Sequence, residues 1–94
     1  MSKSTATVTT QYASRYLQQM CKHFGRKVPV EFCSETGHIS LPFGSCALHA
    51  SETQLLLKAE TSEGNLDTLE RVIGDHLARF AFRENPELAW VRAV

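Results

Sequence analysis

The stretch MCKHFGRKVPVEF, residues 20–32, sets a thiol, an imidazole, an aromatic ring and three cations almost side by side. Thiolates and imidazoles hold zinc or iron, and an imidazole can activate a thiol as a nucleophile. At about 100° per residue, Cys21 flanks one side of an apolar helical stripe and His23 the other. His76 flanks the stripe of a second helix. If the two helices lie side by side on a sheet, His23 and His76 meet at the seam. Cys21 and His23 point about 160° apart on an ideal helix, which makes one shared metal awkward. A structural account competes. Lys22 and His23 fall in the last turn of the first helix, with Arg26 and Lys27 just after it, and Arg79 and Arg83 end the second. Cations there complement the negative end of the helix dipole and bond free carbonyls. The same dipole counts against an anion at these ends, and no GxxxxGK[ST] or GxGxxG loop offers a phosphate cradle.

A second constellation comes from strand register. Keeping the apolar residues of neighbouring strands on one face, with SETG, FG and SETQ as connections, pairs Cys33 with His38, His38 with His49, and His49 with Leu56. Cys33, His38 and His49 would then form a row across the face away from the core, with neighbouring Cβ atoms about 5 Å apart. Such a row could hold a soft or borderline metal, although it is no tetrahedral cage and lacks an obvious fourth ligand. It could equally be an ordinary polar face, or a dimer face.

The elements that position these groups follow from periodicity. TATVTT (5–10) reads as a strand. Ala13, Tyr16, Leu17, Met20 and Phe24 make a helical stripe, and Gly25 is placed to end that helix in the left-handed conformation. Four alternating segments follow: Val28, Val30 and Phe32; Ile39 and Leu41; Cys46, Leu48 and Ala50; Leu55, Leu57 and Ala59. Leu66, Leu69, Ile73, Leu77 and Phe80 make a second helix, from Leu66 to about Arg83, with Asn65 as N-cap and Asp67 in its first turn. Phe82 lies off that stripe if the helix runs straight through it, so either the helix ends near Phe80 or Phe82 meets another surface. ELAWV (87–91) closes the order β-α-β-β-β-β-α-β. The expected fold is a two-layer α+β sandwich, an antiparallel sheet with both amphipathic helices on one face.

The 94 residues suit one small domain over 1–94, and ten Lys and Arg against ten Asp and Glu exclude a general nucleic-acid binder, which needs a cationic surplus. No apolar run is long enough to span a membrane, and the N-terminus lacks the apolar core of a signal peptide. Three cysteines without a CxxC pair fit a reducing cytoplasm.

Together, YLQQMCKHFGRKVPVEF, LPFGSC and HLARFAFRE resemble the small bacterial family known as domain of unknown function 2218, from Tyr16 to Glu84. The resemblance implies a cytoplasmic single-domain protein. It also implies an association with siderophore-interacting proteins, flavin-dependent ferric-siderophore reductases, and hence an accessory role in iron handling. No catalytic role carries over. The family motif falls here on Cys21, Lys22, His23, Phe43, Cys46, His76, Arg79, Phe82 and Arg83 as candidate binding residues.

Three function classes stay open. A non-catalytic module could bind a ligand or a partner such as a siderophore-interacting reductase, as a monomer or homodimer and with no required cofactor. A metal-binding protein would use the Cys and His residues. A small enzyme would need a nucleophile and base in one pocket. Glu31, Glu60, Glu70 and Asp75 show no telling spacing, and FGSCA lacks the G-x-S-x-G elbow, so catalysis ranks last.

Overall fold

The structure, a computed structural model, describes residues 2–61, 65–81, 88 and 90–92. Its elements are β1 (Ser2–Thr9), α1 (Ala13–Phe24), β2 (Val30–Phe32), β3 (Thr36–Leu41), β4 (Gly44–Ala50), β5 (Gln54–Thr61), α2 (Leu66–Phe80) and β6 (Val91–Arg92). The strands form one six-stranded antiparallel sheet in the order β2-β3-β4-β5-β1-β6. Both helices pack on one face, giving the expected α+β order.

Alternation builds the core. Ala6, Val8, Ile39, Cys46, Leu48, Ala50, Leu55, Leu57 and Ala59 point to one face of the sheet and are buried there. Ala13, Tyr16, Leu17, Met20, Cys21 and Phe24 cover them from α1, and Leu66, Leu69, Ile73 and Leu77 from α2. Burial of each large aliphatic side chain contributes roughly 1.5–3 kcal/mol, which is what holds the helices to the sheet.

Several local expectations are corrected. Gly25 is not left-handed: it has φ −61° and ψ −13°, and its amide bonds Cys21 O as in the helix. The amides of Lys27 and Val28 then bond Phe24 O, and winding stops before Pro29, whose ring disfavours helical geometry in the residue before it. Val28 therefore lies outside the strand. Phe32, at the edge, remains 40% exposed rather than joining the core. Asn65 makes no side-chain cap bond, while Asp67 does sit in the first turn of α2. α2 closes at Phe80 rather than near Arg83, which is the first of the two alternatives that the position of Phe82 left open. Among the described residues of the expected final strand, Val91 is paired, together with Arg92, while Leu88 and Trp90 are not in a strand; Glu87 and Ala89 lie outside the described residues.

Two connections differ from expectation, the first two residues shorter and the second of equal length but one residue earlier, and glycine is the reason. Cys33 pairs with Thr36 around Ser34 and Glu35, so Gly37 belongs to β3. Leu41 pairs with Gly44 around Pro42 and Phe43, so Gly44 belongs to β4. A Cβ at Gly37 would fall 2.7 Å from Cys21 Sγ, and one at Gly44 would fall 2.7 Å from the Glu60 carbonyl. Glycine sits inside these strands because something else already fills the space of a side chain.

Candidate functional site

The late turns of α1 and α2 meet. His23 and His76 have ring centroids 4.8 Å apart with planes tilted by 48°. Phe24 packs on His76 at 4.6 Å, and Phe80 meets His23 edge-on at 5.8 Å. The stripe logic accounts for this: the buried faces of both helices turn Phe24 and Leu77 to the core, and His23, His76 and Phe80 are left half-buried along the seam. Ring pairs of this kind add about 0.5–1.5 kcal/mol each beyond their burial.

The His76 Nδ1 lies 2.7 Å from Val72 O, one helical turn back. A carbonyl only accepts, so Nδ1 carries the proton and Nε2 of the neutral ring carries the lone pair. His23 is held below the ordinary imidazole value, first by burial and then by His76, Arg26, Arg79 and Lys27 around it. Every charged or titratable group named there is a base. Lys22 and Arg79 are exposed beside the seam.

The other motif residues have different surroundings. Cys21 is fully buried against Gly37, its thiol pushed up to about 11 by burial. Cys46 is fully buried too, its thiol pushed up to about 12, by burial first and Cys21 second. These two thiols are core groups. The Phe43 carbonyl accepts the Thr61 hydroxyl, which ties the β3–β4 turn to the end of β5. Phe82 and Arg83 lie outside the described residues.

The expected metal row does not assemble in the expected register. His49 lies opposite Leu56 as expected, but its other neighbour is Thr36, and His38 lies opposite Glu31 and Ala47. The two-residue change of register at each of these turns puts Cys33 and His49 on one row and His38 on the next. Among the described residues, no three His, Cys, Asp or Glu side chains group to hold a metal. Cys33 is exposed, with its Sγ 3.2 Å from Thr36 Oγ1. The Thr36 hydroxyl, then the backbone amides of Glu35 and Thr36, lower its thiol below the ordinary value.

Sequence reasoning missed a second charged cluster. Arg92 of β6 forks onto both carboxylate oxygens of Glu70, at 3.1 Å each, and also bonds Asp67. The i, i+3 spacing of Asp67 and Glu70 on one helix face was the available signal. Away from the helix seam, an open depression of about 530 Å³ is lined by Gln11, Ser14, Glu35, His49 and Glu52 among others. Its acids are exposed and converge on nothing.

A family model described as an uncharacterized protein conserved in bacteria, DUF2218, matches residues 5–91. The chain belongs to this family. The DUF2218 chain is also similar to PA4090 from Pseudomonas aeruginosa, known from an NMR structure. The two are 37% identical, with a TM-score of 0.80 over 97% of this chain and 96% of that one. No curated protein matches. In this DUF2218 chain the segments CKHFG and HLARF, far apart in sequence, supply the two sides of the helix seam. No described helix is long and apolar enough to cross a membrane.

Proposed function

We propose that the chain is a non-catalytic accessory module that binds a partner through the α1–α2 seam. Its setting is iron–siderophore handling, and its partner a siderophore-interacting reductase. The setting rests on the association that the family resemblance implies. The observation that supports binding is the contact of His23 with His76, half-exposed and surrounded by Arg26, Lys27 and Arg79. Two imidazoles and three cations at one exposed junction exceed what helix capping requires. Against catalysis stands the burial of Cys21, whose raised thiol makes it a poor nucleophile.

The test is a titration of the isotopically labelled chain with a purified siderophore-interacting reductase. The expected result is saturable binding with perturbed resonances at His23, Phe24, His76 and Arg79. Absence of binding, or perturbation confined to the open sheet face around His38 and His49, would sink the reading.

A metal held by His23 and His76 is a second reading with one observation in its favour. The Nδ1–H bond from His76 to a backbone carbonyl resembles the arrangement that orients metal-ligating imidazoles. The cations acting on His23 oppose it. Native mass spectrometry on protein purified without chelator decides: a stoichiometric metal lost in His76→Ala supports it, and a bare chain removes it.

A further inference from the structure

We infer that the His23–His76 seam is an oxyanion site that takes up a proton when it fills, the oxyanion being a carboxylate on the partner's surface. This rests on the seam as the binding surface and adds what it binds and under what conditions.

The dipole argument against an anion at helix C-termini has to be weighed with magnitudes. Each C-terminus carries about −0.5 charge, about −1 for the pair. Arg26, Lys27 and Arg79 carry one positive charge each, so the junction is positive by about two charges before either imidazole is protonated. A metal cation is disfavoured there for the same reason. The groups facing His23 are Arg26 and Lys27 from the chain after α1, and His76 and Arg79 from α2. Asp75, the acid nearest His76 in sequence, is exposed and is not among the groups acting on His23.

The proton follows from the tautomer. With Nδ1–H of His76 committed to Val72 O, its neutral Nε2 offers a lone pair, which repels an oxyanion. Protonation turns that atom into a donor. Burial and the surrounding cations keep His23 neutral near pH 7, so the empty seam is poised without an extra charge. An arriving oxyanion offsets the cations and draws a proton onto the imidazole pair. The Phe24 and Phe80 rings flank the pair on its sides and strengthen the charge-assisted bonds by excluding water.

The experiment follows the imidazole resonances of all four histidines through a pH series of the full chain, alone and with acetate or inorganic phosphate. The expected result is a saturable rise of about one unit in the titration midpoint of the His23–His76 pair. His38 and His49 should be unmoved, and the effect should disappear in Arg79→Gln, a surface change that preserves the fold. Equal shifts at all four histidines mean ionic strength alone and overturn the proposal, as does no shift. A second arm measures reductase affinity against pH. The expected gain is up to about tenfold in total as pH falls from the bound midpoint to the free one, about one unit lower, and it is lost in His23→Asn. Reductase binding without pH dependence leaves the partner reading standing and overturns this one. Acetate binding without reductase binding supports the site and overturns the partner.

Discussion

Cys21 Sγ occupies the space above Gly37 so closely that a Cβ there would lie 2.7 Å from the sulfur and 3.3 Å from Leu17 Cδ2. Neither neighbour can retreat, because both are α1 side chains fully buried between that helix and the sheet. Gly37→Ala should therefore lower stability by about 1–3 kcal/mol through overpacking, a loss of several degrees or more in melting temperature for a domain this size. Combining it with Cys21→Ala should restore part of that loss. Additive losses in a thermal-denaturation cycle would show that the contact does not set the packing.

Thiol reactivity should separate the three cysteines. Cys33 is exposed and its thiol lowered, while Cys21 and Cys46 are buried and pushed up to about 11 and about 12. Brief treatment of the native chain with iodoacetamide should add one group, at Cys33, and three after denaturation. Thr36→Val, which removes the hydroxyl 3.2 Å from the sulfur, should slow the native reaction several-fold. Peptide mapping by mass spectrometry reads both results. Labelling of Cys21 at a comparable rate would mean that α1 opens readily.

Acid stability should carry the signature of His23. Its midpoint is lowered in the fold, so the unfolded chain binds the proton more readily. Stability should be full above the ordinary imidazole value, about 6.5, and fall as pH drops from there toward the folded midpoint. His23→Asn should flatten this step. Glu70, lowered chiefly by Arg92, acts in a separate window below the ordinary carboxylate range, where its stabilising effect is lost on further acidification. Urea denaturation at pH 7.5, 6 and 5 resolves the His23 step. An unchanged slope in His23→Asn would assign it to another group.

Removing the Arg92 fork should loosen β6 selectively. Among the described residues, Ser4 with Arg92 and Thr5 with Val91 are the pairs across β1 and β6, so the strand depends heavily on the hold of Glu70 and Asp67. In Arg92→Ala, hydrogen exchange should quicken along the β1–β6 ladder, while β5, paired with β1 over its whole length, keeps its protection. Uniform quickening across the sheet would show that β6 is part of the cooperative core.

Much of the architecture was legible because it depends on period alone. The stripe of α1 and the alternation of β4 and β5 name their own buried faces, and placing two such helices on one sheet brings His23 to His76. Register was less legible. Gly37 and Gly44 look like turn residues in sequence, since turns are where glycine is commonest. Their actual reason, a sulfur over one and a backbone carbonyl beside the other, exists only after the layers have packed. That misreading moved two turns and created a Cys33–His38–His49 row that the sheet does not contain. The Gly25 expectation failed similarly: the chain keeps winding past it until Pro29.

The β2 end of the sheet has a bearing on how another protein can approach. β2 spans only Val30–Phe32, and Pro29 before it has no amide to donate, so this border offers a short run of unpaired amides and carbonyls. A visiting strand would find little backbone there to zip onto. Recognition along that border then has to be read through side chains. The short border thus acts as insulation: it directs sociable contacts toward surfaces where chemistry, not backbone, decides who stays.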